Sequence, residues 1–200
     1  MSENPFCTGR IRPGALPFFF PAGLNAEKLA EQLRQSGGWG EIVGRHGTGK
    51  SALLATLIPA IERAGQRVLA LELHDDERCL PLDLDRRHRV QPFSLLVVDG
   101  YEQLGRFCRW RLLRRCRRRR WGLLVTTHKS VGLPELFHTV PTPELAEQIV
   151  RHLLGGRLSP FTPADVLERY ERRRGDMREM LFDLYDLFEA RDSSSGQKLN

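Results

Sequence analysis

The chain has 200 residues, 40% of them hydrophobic, and a formal net charge of +6. That length can bury one full core. No run approaches the roughly 18 apolar residues of a membrane span, and "ALPFFFPAGL" near the start, broken by Pro17 and Pro21, lacks the basic flank of a signal peptide. A cytoplasmic protein with no membrane partner is therefore expected.

Residues 1–24 are rich in Pro, Gly and Phe and read as an extended lead-in that packs on a domain. "NAEKLAEQLRQSG" has Asn25 as a cap, Leu29 and Leu33 four apart and Gly37 as a stop, which predicts a short amphipathic helix. "WGEIVG" predicts a strand running into a glycine loop. "SALLATLIPAIERAG" carries Leu53, Leu57 and Ile61 on one stripe, a helix that Pro59 should kink. "RVLALEL" (67–73) is a second strand, and the polar stretch 74–92 a loop. "FSLLVVDG" (93–100) and "WGLLVTTH" (121–128) are continuous apolar runs of the kind found in strands buried on both faces. A short strand is expected in 136–142 and a helix over 143–156. Strand and helix alternate, so an α/β fold follows, a three-layer sandwich with a mainly parallel sheet covered on both faces.

From 157 the strands stop. Thr162 with Pro163, and then Asp176, open two predicted helices that make a small helical lid over 157–191. The domain reading is a lead-in at 1–24, a main α/β domain at 25–156, that lid, and a disordered tail at 192–200. The cysteines, Cys7, Cys79, Cys108 and Cys116, form no CxxC pair and are read as reduced, partly buried thiols.

The chemistry concentrates in "GRHGTGKS", residues 44–51. It fits G-x-x-x-x-G-K-[ST], a pattern that chance supplies in such a chain on the order of one time in a hundred. Glycines at Gly44, Gly47 and Gly49 let the loop of Arg45, His46 and Thr48 turn its N–H groups onto phosphate oxygens. The N-terminal end of the helix through Ala52 adds positive potential. Lys50 would reach the β- and γ-phosphates, and Ser51 would offer its hydroxyl to Mg²⁺. Asp99, ending a buried strand, is the second expected metal-site residue, or else a cap for the next helix. Hydrolysis also needs a group to orient water. Gly100 follows Asp99 where many ATPases have Glu, so Glu102 is the nearest acid for that role.

With the P-loop, Asp99 and the "VTTH" strand, the chain resembles AAA+ ATPases, in particular compact bacterial ones of the helicase-loader and transposition-helper kind, over roughly residues 25–190. The resemblance implies that Thr127 and His128 occupy the γ-phosphate-sensing position. His128 is also similar to the switch histidine of ABC ATPases, although no LSGGQ signature occurs. "GDMR" (175–178) matches the lid motif whose arginine reaches the nucleotide, which makes Arg178 the candidate. Residues 129–138 contain Lys129 and no Arg, so the arginine finger of the family is missing there. ATP rather than GTP follows from the resemblance and agrees with the lack of an NKxD-like stretch.

Residues 106–120, "RFCRWRLLRRCRRRR", hold nine arginines and no acid. Without them 22 basic residues face 25 acidic ones, so the positive charge is one local feature. Leu104, Cys108, Leu112 and Cys116 would face the sheet, and the Arg106–Arg120 surface would bind nucleic acid, serve an acidic protein, or be a solvated face whose long stems shield apolar surface. The expected function is slow Mg²⁺-dependent ATP hydrolysis coupled to a nucleic-acid partner, a protein partner or an oligomer. Its rivals are a nucleotide-gated adaptor with little turnover and a small-molecule kinase using "RRHR" at 86–89.

Overall fold

In the computed structural model, the described residues are 4–12, 14–74, 78–80, 84–90, 92–156 and 159–196. They hold α1 (Thr8–Ile11), α2 (Ala26–Gln35), β1 (Trp39–Val43), α3 (Lys50–Arg63), β2 (Val68–Glu72), α4 (Leu84–Val90) and β3 (Leu95–Asp99). A 3-10 turn (Tyr101–Gln103), α5 (Arg106–Arg119), β4 (Gly122–Thr127), β5 (Glu135–His138), α6 (Pro143–Leu154), α7 (Pro163–Arg172) and α8 (Met177–Gly196) follow. The fold is α/β. Its sheet has strand order β2-β3-β4-β1-β5, and every pairing is parallel.

The local signals explain most element ends. Asn25 caps α2 by accepting from the Lys28 N–H at 2.9 Å. Thr142 caps α6 through the Leu145 N–H, and Thr162 with Asp165 forms a reciprocal capping box on α7. α3 is one continuous helix across Pro59. The stretch 74–92, expected as a loop, contains α4, because Leu84 is buried in the same cluster as Leu96 and Val98 and gives that segment a core contact. α8 continues to Gly196, into the expected tail, and residues 197–200 lie outside the described part.

The chain divides into two compact units. One comprises residues 20–45 and 53–139 and holds the sheet. On one sheet face Leu96 and Val98 of β3 and Leu123 and Val125 of β4 join Leu84, Tyr101, Leu112, Cys116 and Trp121 in a buried cluster. Strand alternation sends Leu95, Val97 and Leu124 to the other face, and Leu33 of α2 comes close to Gly40 beside Leu124 there. Within this unit Glu41 is fully buried in β1, and its carboxylate accepts from Ser130 Oγ at 2.5 Å and the Val131 N–H at 2.8 Å. That arrangement holds the turn after β4.

The same unit corrects the cysteine expectation. Cys79 and Cys108 are joined by a disulfide, with Cα atoms 5.5 Å apart, in the range a bridge requires. Sequence spacing hides this pair because 29 residues separate the partners. Cys7 and Cys116 are free, and burial pushes the Cys116 thiol up to about 12, which makes it unreactive.

The other unit comprises residues 1–19, 46–52 and 140–200. The boundary expected between 156 and 157 falls inside it, since Ala146, Ile149, Val150 and Leu153 of α6 share a core with Val166 of α7 and Met180, Leu181 and Leu184 of α8. The lead-in joins that core through Phe6, whose ring meets Phe161 edge-on at 5.4 Å. Asn4 Nδ2 donates to Glu189 at 2.7 Å. Arg173 grips Asp183 with two bonds of 2.8 and 2.6 Å and lowers its pKa, tying α7 to α8. Among the described residues, no helix is long and apolar enough to cross a membrane.

Two outcomes test this architecture. Leu123→Ala removes a fully buried side chain from the β4 face and should cost about 2–5 kcal/mol in denaturant unfolding. The Asp165 carboxyl is held down to about 2, chiefly by the Thr162 N–H and then by Arg191. A lowered pKa stabilises the folded state above the ordinary carboxylate value of about 4, and that contribution is lost as pH falls toward 2. Thermal melts of Asp165→Asn should therefore converge on wild type near pH 2 and fall below it above pH about 4.

Candidate functional site

Parallel pairing brings the carboxyl ends of β1, β3 and β4 to one edge of the sheet. Val43 stands opposite Thr127, and the Gly44 N–H donates to the Thr127 carbonyl at 3.0 Å. The glycine loop therefore leaves β1 at this edge. At the end of β3, Asp99 Oδ1 accepts from the Thr126 hydroxyl at 2.5 Å, and the same Oγ1 accepts from the Gly100 N–H at 2.9 Å. Thr126 thus fixes both the acid and the backbone behind it. Asp99 does not cap the next turn, whose cap position is Gly100.

Gly100 has φ 79° and ψ 32°, a left-handed conformation. A Cβ there would stand 2.8 Å from the Leu73 carbonyl oxygen. The absence of Glu after Asp99 is thus a backbone requirement. The turn that Gly100 makes starts the 3-10 segment and swings Glu102 back, so that Glu102 Oε1 lies 2.9 Å from His128 Nε2. Glu102 Oε2 is buried and has no hydrogen-bond partner. The sequence named Glu102 and His128 separately, and the fold pairs them.

Thr127 turns away from this cluster. Its hydroxyl donates to the Lys129 carbonyl at 2.7 Å and stabilises the exit from β4. Thr126 is the threonine that meets the acid. Strand periodicity was the available signal, since neighbouring strand residues face opposite sides and only one of the pair can meet Asp99.

The loop itself lies with the other unit. Gly47 and Gly49 have φ of 71° and 91°, Thr48 and Lys50 are buried, Arg45 and His46 are exposed, and Gly44 is buried in the sheet unit. Lys50 is the first residue of α3, followed by the half-buried Ser51 and Ala52, so the helix N-terminus opens where the motif requires. Two neighbours escaped sequence reasoning. The Phe18 ring would come within 3.6 Å of a Cβ on Gly49. The Asp176 carboxylate lies directly against Gly47, leaving no room for a Cβ, and stands 3.6 Å from His46 Nδ1. Asp176 also caps α8 through the Glu179 N–H at 3.0 Å, and the Met177 N–H donates to the Gly47 carbonyl at 3.1 Å. The "GDMR" turn thus reaches the loop through Asp176 and Met177. Arg178 is exposed and makes no hydrogen bond or ion pair among the described residues.

A parallel five-stranded sheet, a glycine loop between the first strand and a helix, and an acid ending a neighbouring strand together define the P-loop NTPase fold. Among solved structures the chain is similar to a DNA replication initiation factor, with TM-score 0.56 and 15% identity over 82% of this chain and 59% of that one. It is also similar to AMPPCP-bound DnaA from Aquifex aeolicus, with TM-score 0.53 and 15% identity over 90% and 69% of the two chains. A third likeness is to replication initiator DnaA bound to AMPPCP and single-stranded DNA, with TM-score 0.52 and 13% identity over 91% and 72%. These likenesses show a shared fold, and this chain spans 59% of the length of the first of these structures. No protein-family model matches the chain, and no curated protein matches it.

Gly100→Glu is a sharp check on the β3 edge. It should not create a hydrolytic carboxylate. It should instead destabilise the fold by on the order of 1–3 kcal/mol for the left-handed backbone alone, as read by urea unfolding, with ATP turnover no higher than wild type.

Proposed function

We propose that the chain binds ATP with Mg²⁺ and hydrolyses it slowly, coupling the nucleotide state to a nucleic-acid partner, in a cytoplasmic setting. The observation that carries the hydrolytic part is the Glu102–His128 pair with its unpartnered buried Glu102 oxygen. A carboxylate oxygen so placed is suited to accept from an attacking water, with His128 holding the other oxygen in position. The backbone amides of residues 44–49 and Lys50 would hold the phosphates. Similar structures carrying AMPPCP, an ATP analogue, support that reading.

The residues present fit Mg²⁺. Ser51 and Asp99 are hard oxygen donors, and Thr126 keeps one Asp99 oxygen hydrogen-bonded. When bound, Mg²⁺ supplies neutralisation of charge on the β- and γ-oxygens.

A second reading is a nucleotide-gated adaptor with little turnover, coupled to a protein partner or a second copy. The left-handed Gly100 favours it, since the usual acid position is closed to any side chain. The lack of an arginine within residues 129–138 points the same way.

ATP turnover with Mg²⁺, alone and with single- or double-stranded nucleic acid, decides between them. Lys50→Ala should abolish nucleotide binding, and a folded variant that binds normally would sink the P-loop assignment. Glu102→Gln should keep nucleotide affinity and lower turnover about a hundredfold or more. Tight binding with no turnover in the wild type under every condition would establish the adaptor.

A further inference from the structure

Helix α5 has two faces of different chemistry. Leu112 and Cys116 are buried in the sheet cluster, and Cys108 is tied to Cys79, which anchors one face. The other carries Phe107, Trp110, Arg111, Arg114 and Arg118, all exposed and spaced so that they form one stripe. Phe107 is 66% and Trp110 53% exposed. Their rings are stacked, with centroids 5.9 Å apart and planes 26° from parallel. The Arg111 guanidinium lies 5.8 Å from the Phe107 centroid, and that of Arg114 lies 5.5 Å from Trp110. Beside this stripe opens a cleft of about 450 Å³ bounded by Trp110, Arg111, Arg114, Arg115, Arg118 and Leu80.

Two large aromatic side chains left in water are not explained by the core, which α5 reaches with its other face. Nor does any carboxylate pair with Arg111, Arg114 or Arg118 among the described residues. We propose that this face of α5 is a binding site for single-stranded nucleic acid. Phe107 and Trp110 stack on unpaired bases, and Arg111, Arg114 and Arg118 neutralise the phosphates that connect them.

The combination selects the partner. Exposed aromatic rings can stack on bases whose own faces are free, and a duplex keeps those stacked internally. An acidic protein would satisfy the arginines and leave the two rings without a role. The inference deepens the nucleic-acid part of the proposed function and rests on it. It does not depend on ATP binding.

The test is fluorescence anisotropy of a labelled oligothymidylate of about twenty nucleotides, long enough for the site sizes such proteins occupy, against a duplex of equal length. Wild type should prefer the single strand. Trp110→Ala should weaken it about tenfold, and Phe107→Ala with Trp110→Ala further, while duplex affinity changes little. Trp110→Phe should retain most of the affinity, because the ring face is kept. Arg111→Gln with Arg114→Gln should flatten the salt dependence by about one unit or more of logarithmic slope. All these positions are exposed, and unchanged melting temperatures would show that the variants are folded.

If the aromatic variants bind like wild type while the arginine variant is weakened, the stacking site is overturned and the broader nucleic-acid reading stands. If wild type binds neither strand form, both fall together. Normal oligothymidylate binding by Lys50→Ala would keep the site even if the ATPase reading failed.

Discussion

Parallel pairing of β1, β3 and β4 is the constraint on which the rest of the chemistry depends. Parallel strands need crossover connections, so all of their carboxyl ends emerge at one edge. At that edge Gly44 meets Thr127 through the backbone, and Asp99 meets Thr126 through a short side-chain bond. The hydroxyl of Thr126 uses both of its capacities, accepting from Gly100 and donating to Asp99. One threonine thereby sets the direction of the acid and the left-handed turn that returns Glu102 to His128. The arrangement needs the strands in register, which the buried residues of β3 and β4 supply.

Helix α5 shows how one element serves core and surface together. Its apolar residues cover β3 and β4, while nine arginines within and just after it crowd the rest of its circumference. Like charges at helical spacing repel. The structure relieves part of this by placing guanidinium groups over Phe107, Trp110, Tyr101 and Trp39. Arg109 also donates to the carbonyls of Glu102 and Leu104 at 2.7 Å, so this arginine supports the turn that carries Glu102. Arg117, Arg118 and Arg119 occupy the last turn, where the helix dipole favours positive charge.

The helical unit uses charge differently. Arg173 with Asp183 and Arg191 with Asp165 connect one helix to the next by paired bonds, and Glu189 holds Asn4 of the lead-in. Asp176 is the exception, for it joins the α8 cap to the glycine loop instead of to another helix. A carboxylate against Gly47 adds negative potential beside the backbone amides of the loop. Met177 reinforces the contact from its backbone.

What the sequence determined by itself was everything set by neighbouring residues. Helix caps at Asn25, Thr162 and Asp176 were readable because each acts within three residues of itself. The glycine loop, the apolar strands and the acid ending β3 were readable because their chemistry is carried by local pattern and spacing. Tertiary structure alone decided the rest, because it depends on pairs distant in the chain. Thr126 meets Asp99 across 27 positions, the Cys79–Cys108 bridge spans 29, and Glu41 reaches Ser130 across 89. α4 formed where composition implied a loop, since one buried leucine outweighed a polar run. Which of two adjacent threonines meets the acid, and whether a side chain fits after Asp99, are settled by register and backbone dihedral, and neither can be read from residue type.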